Sequence, residues 1–232
     1  MVGRATTIGV PPNSSSSRIA RRAAAAIAFL GWYALLLQLY VSFITARANG
    51  LPVGTAVVNY FSFFTIQTNL LVALVLSLSL RIPPSNASTF AARATVQSAI
   101  AVYIAIVGIV YSIALRSLWN PEGLQKVADV ILHDAVPVLY LLYWLIFVRK
   151  GKDGLRFSHI PAWLVYPALY LVYSLIRSAV AGFYPYHFLD VSALGYGRVA
   201  LNAVVLLLAF LGASLLLIAI GRLLDGAFAV TA

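Results

Sequence analysis

Six stretches of the chain are almost continuously apolar, at about 23–45, 56–80, 94–115, 130–148, 160–183 and 199–221. Each is near the roughly 20 residues that a helix needs to cross the hydrocarbon of a bilayer. The pattern predicts an all-α fold: a polytopic integral membrane protein built as a bundle of six transmembrane helices. Residues 1–17, which contain "PPNSSSS", read as a disordered tail, 18–225 as the transmembrane domain, and 226–232 as a C-terminal tail. Arg18, Arg21 and Arg22 precede the first apolar run, as basic residues do in a signal peptide. That run is long and lacks a small-residue cleavage site, so a retained helix is expected.

Composition supports this picture and charge refines it. The 232 residues are 62% hydrophobic and 9% charged, whereas a soluble domain carries about 25% charged residues. The formal net charge is +10, which by itself invites a nucleic-acid partner. The basic residues instead cluster at the ends of apolar runs, as topology signals do, so no nucleic acid is expected. With the N-terminus inside, eleven of the sixteen Lys and Arg residues fall on the inner side and five outside. Both termini are therefore expected in the cytoplasm, and "RKGKDGLR" at 149–156 is the strongest single signal. The chain has no cysteine, so disulfide and thiol chemistry are excluded. A single cysteine placed in that loop should resist a membrane-impermeant thiol reagent applied to intact cells; outside labelling would reverse the topology.

Within the second run, "FFTIQTNLLVAL" (63–74) interrupts oil-compatible residues with Thr65, Gln67, Thr68 and Asn69. Polar side chains in hydrocarbon are costly unless partnered, so they mark packing or function. Asn59, Ser62, Thr65 and Thr68/Asn69 recur at spacings of three and four, one face of a continuous helix, and Gln67 points elsewhere. At about 1.5 Å per residue from an outer start near 56, Thr65 lies about 14 Å deep, near the midplane.

In the fourth run, "ADVILHDAVP" places His133 in the outer half, one or two turns below the surface. Asp129 lies four residues earlier, on the same face; Asp134 points about 100° away. Tyr140 and Trp144 continue the His133 face, and Pro137 should free a carbonyl about one turn up. The fifth run aligns Tyr166, Tyr170, Tyr173 and Arg177 on one face. The loop "GFYPYHFLD" then brings Tyr184, His187 and Asp190 to the outer side. Together these residues predict a polar pocket in the outer half of an apolar bundle. Each has a plainer reading alone: a threonine in a span usually bonds its own backbone or a neighbouring helix, an arginine near an end snorkels, and tyrosines pack.

The stretches "FFTIQTNLL", "LHDAVP" and "GFYPYHFLD" together resemble the six-span family of androgen-induced and androgen-dependent TFPI-regulating proteins and their bacterial relatives. The resemblance covers most of the chain after about residue 20. Eukaryotic members are threonine hydrolases that cleave fatty acid esters of hydroxy fatty acids, using a threonine in the second helix and a histidine in the fourth. It implies Thr65 as nucleophile, with Thr68 the alternative, and His133 as base. The loop "YPYHFLD" has one residue more than the family's, so no role carries over to His187. It also implies a lipid substrate, no cofactor, no metal and a bacterial plasma membrane.

The chemistry is compatible with these residue types. A threonine hydroxyl needs an adjacent base, and histidine takes and returns a proton near neutral pH. Asp129 fits as the group that orients the imidazole. Asn69, Arg177 or a tyrosine hydroxyl such as Tyr173 or Tyr140 can line the pocket or donate to an oxyanion. Two alternatives stand beside the hydrolase: a non-enzymatic lipid-binding membrane protein and a small-molecule transporter. The polar set thins toward the inner half, where Gln97 is nearly alone, which suits a pocket better than a path. A bis-histidine haem bundle is disfavoured because His133 is the one histidine within a span.

Overall fold

The computed structural model describes residues 15–81, 84–148 and 154–230, and among these every regular element is helical. Helix α1 is Ser15–Ala48; α2 (Val53–Phe61) and α3 (Phe64–Ser79) follow as a pair, then the short α4 (Asn86–Ala91) and α5 (Ala94–Val110). A π-helical turn over Tyr111–Leu115 extends α5. Helix α6 (Gly123–Val130), a second π turn (Ile131–Ala135) and α7 (Val136–Phe147) run on as one rod; α8 (Ile160–Ala181) and α9 (Val191–Val230) complete the bundle. Five helices are long and apolar enough to cross a membrane, and the α2–α3 pair makes a sixth if taken as one span. The expected tail over 1–17 lies outside the described residues except for Ser15–Ser17, which open α1, while α9 continues to Val230 through most of the expected C-terminal tail.

Local chemistry sets the boundaries. Ser85 and Ser88 form a capping box at the start of α4, each hydroxyl accepting the other's N–H, at 3.2 and 2.7 Å. Helix α8 carries Pro161 in its first turn and stops at Gly182, left-handed at φ 62°, whose N–H reaches back to Ser178 O at 2.9 Å. Asp190 caps α9, accepting from Ser192 Oγ at 2.5 Å and the Ala193 N–H at 3.0 Å. Those two bonds, the hydroxyl first, hold its carboxyl below the usual carboxylate range. Gly195, at φ 74° and ψ 160°, puts a kink in α9 that residues with a Cβ avoid.

Helix α5 lies at the centre, with Ala101, Val102 and Ile104 fully buried. Ala34 of α1 and Ala73 of α3 are also fully buried, and Gly31 of α1 lies against Ala73, a Cβ there falling 3.5 Å from the alanine's, the small-residue contact that lets two membrane helices approach closely. The outward faces carry large apolar side chains such as Ile176, Val180, Leu208 and Leu223, all mostly exposed. A soluble monomer rarely exposes so much contiguous apolar surface; acyl chains would cover it. At one end of the bundle Arg21 donates to Leu80 O, which closes α3, and Arg222 to Leu155 O, each at 3.1 Å. Arg21 sits where the last carbonyls of α3 lack partners, and Arg222 ties down the loop ahead of α8. The basic loop at 149–156 falls mostly outside the described residues.

Two expectations about spans are corrected. The second span is not one helix: α2 and α3 meet at an angle of 73° across Ser62–Phe63. The fourth begins at Gly123 rather than near 130, because the polar residues of "GLQKVADV" mask it in the hydropathy pattern. Counted from Gly123 at about 1.5 Å per residue, His133 lies about 15 Å along the rod, near its middle rather than one or two turns in.

Candidate active site

The break between α2 and α3 explains the polar residues that interrupt this span. Backbone groups freed in a membrane helix must find other partners. Gln67 Nε2 donates to Phe61 O at 2.8 Å and Tyr170 Oη to Ser62 O at 2.9 Å, closing α2. Gln67 Oε1 accepts from Tyr166 Oη at 3.0 Å. The Ser62 hydroxyl donates to Val58 O at 2.6 Å and accepts from Tyr173 Oη at 2.7 Å. Arg177 donates to Asn59 Oδ1 at 2.6 Å, with its guanidinium 5.3 Å from the centre of the Phe183 ring. The tyrosine face of α8 therefore braces the break. The stripe expected from a continuous helix dissolves, because α3 starts a new helical register at Phe64.

Thr65 is the second residue of α3, where a backbone N–H has no acceptor within its own helix. Tyr186, from the loop between α8 and α9, supplies one: its Oη lies 3.2 Å from Thr65 N and 3.3 Å from Thr65 Oγ1. Asn69, one turn on, is fully buried and donates both amide hydrogens, to Thr65 O at 2.9 Å and to Leu132 O at 3.1 Å. Leu132 O is free for a definable reason. In the π turn Val136 N–H bonds Ile131 O, five residues back, so Leu132 O would pair with residue 137, a proline without an N–H. Asn69 thus ties the threonine-bearing turn to the histidine-bearing one. Asn69→Leu would leave the buried Leu132 O without a donor, at about 1–3 kcal/mol, while Thr65 O keeps the backbone N–H of residue 69 within α3. A clear fall in thermal midpoint in detergent is expected, and an unchanged midpoint would contradict this bracing.

His133 Nε2 lies 3.3 Å from Thr65 Oγ1. Its Nδ1 lies 3.0 Å from the Asp129 backbone oxygen and 3.1 Å from Asp129 Oδ1. Tyr111 donates its phenol hydrogen to Asp129 Oδ2, and its ring stacks on the imidazole with centres 4.0 Å apart and planes 14° off parallel. Asp134 pairs with Arg116, whose guanidinium lies over the same Tyr111 ring. The Asp129 side chain is 6% exposed and that of His133 15%, so the carboxylate and the imidazole it holds sit in a largely water-excluded setting where their hydrogen bond is strong.

Beside Thr65 lies a cavity of about 320 Å³ between α5, α8 and α9, within the usual range for a ligand site, about 300–1,000 Å³. Its walls are apolar, with Val107, Leu171, Leu207 and Phe210 among them. Among the described lining residues only Thr65, Tyr170 and Tyr186 carry polar side-chain atoms, and Tyr170 is committed to Ser62 O. Neither His133 nor Arg177 lines it; Thr65 is the residue shared by the histidine and the cavity. The single cavity expected to include Arg177 is thus not what forms.

Of the other residues singled out from sequence, Thr68 is fully buried and makes no described bond to the histidine. Tyr140 is fully buried and donates to Gln97 O at 3.2 Å, away from the cavity lining. Tyr173 serves Ser62. The sequence places Tyr111 among the outer-half polar residues without assigning it a role, and Tyr186 is passed over. Tyr111 stands in a π turn, whose faces do not follow the regular helical spacing. Tyr186 follows Pro185 in "YPY", and only the path of the loop carries it to Thr65. Among the described residues no three metal-ligating side chains converge. Compared with known proteins, the chain matches no family model, no curated protein and no solved structure.

Proposed function

We propose that the protein is a membrane-embedded ester hydrolase that acts on long-chain lipid esters, with Thr65 as nucleophile and His133 as general base and then acid. The observation that carries the reading is the contact of Thr65 Oγ1 with an imidazole already held by Asp129, at the end of an apolar cavity. With Nδ1–H donated to Asp129, Nε2 is left to accept the threonine proton, the division of roles a nucleophile–base pair requires. The 3.3 Å separation is at the loose end of hydrogen bonding, as such pairs are without substrate.

In the reaction Thr65 Oγ1 bonds to the ester carbon as its proton moves to His133 Nε2. The carbonyl π pair shifts onto oxygen. On collapse the pair returns, the ester C–O bond breaks, and the alcohol departs with the proton from Nε2. Water repeats the sequence on the acyl-threonine and releases the fatty acid. The acyl chain lies in the apolar cavity, reached sideways from the bilayer between α8 and α9. The same reading places the chain in a bacterial plasma membrane with both termini in the cytoplasm. The resemblance of "FFTIQTNLL" and "LHDAVP" to threonine hydrolases supports the same pair.

A long-chain alkyl fluorophosphonate tests this directly. The intact protein should gain one adduct mapping to Thr65, absent from Thr65→Ala and His133→Ala. No adduct under conditions that label an active threonine hydrolase would favour the non-enzymatic lipid-binding alternative.

A further inference from the structure

An ester hydrolase needs a donor where the carbonyl oxygen becomes an anion, and the groups near Thr65 can be sorted by what they already hold. Asn69 has both amide hydrogens on backbone carbonyls. Arg177 donates to Asn59 and keeps an unpartnered Nε, but it does not line the cavity; Tyr173 is on Ser62 and Tyr170 on Ser62 O. Tyr186 differs: its partners are the nucleophile's own hydroxyl and N–H, and it lines the cavity. Resting on the hydrolase reading above, we propose that Tyr186 is the oxyanion donor of this reaction, acting with the backbone N–H of Thr65.

The hydrogen bonds run in one consistent direction. Thr65 Oγ1 donates to His133 Nε2 and accepts from Tyr186 Oη, which in turn accepts from Thr65 N–H. The phenol oxygen therefore occupies the place at the N–H that a substrate carbonyl would take. When an ester binds there, the phenol turns its hydrogen from Thr65 Oγ1 to the carbonyl oxygen. The nucleophile loses a donor that damps it, and the oxygen gains one aimed where charge develops. The N–H contributes as the nucleophile's own amide does in serine hydrolases, and it lies at the positive end of α3.

The loop is built to hold the ring in place. Gly182 turns the chain out of α8 in the left-handed region, φ 62°, and Pro185 is buried. The Tyr186 ring stacks on Phe188 with centres 5.1 Å apart and meets Phe63 edge-on at 5.8 Å. Phe63 meets Phe183 the same way at 6.0 Å. Burial, the largest influence, raises the phenol above its ordinary value, so it stays protonated and able to donate at neutral pH.

The test uses the full chain in detergent with a long-chain 4-nitrophenyl ester. Tyr186→Phe should lower kcat by about 10²–10³-fold, the usual cost of one oxyanion donor, with KM changed less than about threefold. Affinity for a long-chain trifluoromethyl ketone, which forms a tetrahedral adduct, should fall in parallel with kcat/KM, while affinity for the fatty acid product holds. A kcat within about threefold of wild type would overturn the role of Tyr186. A second measurement stands if the phenylalanine variant misfolds: 3,5-difluorotyrosine at position 186 should move the alkaline limit of kcat to lower pH, because the ionised phenol cannot donate. An unmoved profile would also overturn it. Thr65→Ala run alongside separates the two readings: activity that survives it removes the threonine mechanism itself, whereas activity lost in Thr65→Ala but kept in Tyr186→Phe removes only the donor.

Discussion

Alanine at position 65 is expected to lower kcat for a long-chain ester by about 10⁴-fold or more, and alanine at 133 by a similar factor. Each removes one half of a unit in which the hydroxyl is a poor nucleophile without the base and the base has nothing to activate without the hydroxyl. The double variant should be little worse than either single one, since losses within such a unit are far from additive. Neither residue closes the helix break, a task held by Gln67 and Tyr170, so both variants should remain folded in detergent. Thr68→Ala is the control: Thr68 does not line the cavity, and its variant should keep most of its activity if it folds. Steady-state hydrolysis with a thermal melt of each variant makes the comparison. Full activity in Thr65→Ala would remove the nucleophile, and full activity in both threonine variants would remove the mechanism.

The second large effect is expected at Asp129. In a serine triad, replacing the aspartate by asparagine costs about 10⁴ in kcat because the imidazole takes the wrong tautomer. Here His133 Nδ1 has two acceptors on the same residue, the carboxylate at 3.1 Å and the backbone carbonyl at 3.0 Å. Asp129→Asn removes only the first, so the carbonyl still favours the correct tautomer and the loss should be about 10³-fold. What disappears is the anion that stabilises the imidazolium formed during attack. Tyr111→Phe leaves the carboxylate and the stacked ring in place, and should cost less than about tenfold. A kcat for Asp129→Asn equal to wild type would show that the carboxylate plays no part. Equality with His133→Ala would show that the backbone carbonyl does not hold the ring.

Much of this arrangement is legible in the chain because it depends on short-range regularities. The i, i+4 spacing of Asp129 and His133 places both on one face of any helix, and the π turn at Ile131–Ala135 distorts that face without separating them. Gln67 shows the opposite case. From spacing it points away from the polar stripe and has no evident purpose; its purpose is to cap a helix that the hydropathy pattern gives no reason to end. Arg177 sits on the expected face of α8, yet its end of that face meets Asn59 and Ser62 at the break, and only Tyr170 farther along it reaches the cavity. Its placement depended on where α2 turns.

The sequence by itself determined the bundle: apolar runs of bilayer length, polar residues collected in a few segments, and a histidine with its aspartate one turn away. Those follow from the cost of exposing apolar surface to water and polar groups to hydrocarbon, which any single segment feels alone. Tertiary structure decided the rest. It broke the second span at Ser62–Phe63, set Thr65 at the head of a new helix, and brought Tyr111 and Tyr186 to the histidine and the threonine. The break leaves backbone groups that only other helices can satisfy: Tyr170 and Tyr186 come from more than a hundred residues away in the chain. A local pattern carries no information about such partners, because the energy that stabilises the break exists only after α3, α8 and the loop that follows α8 have packed together.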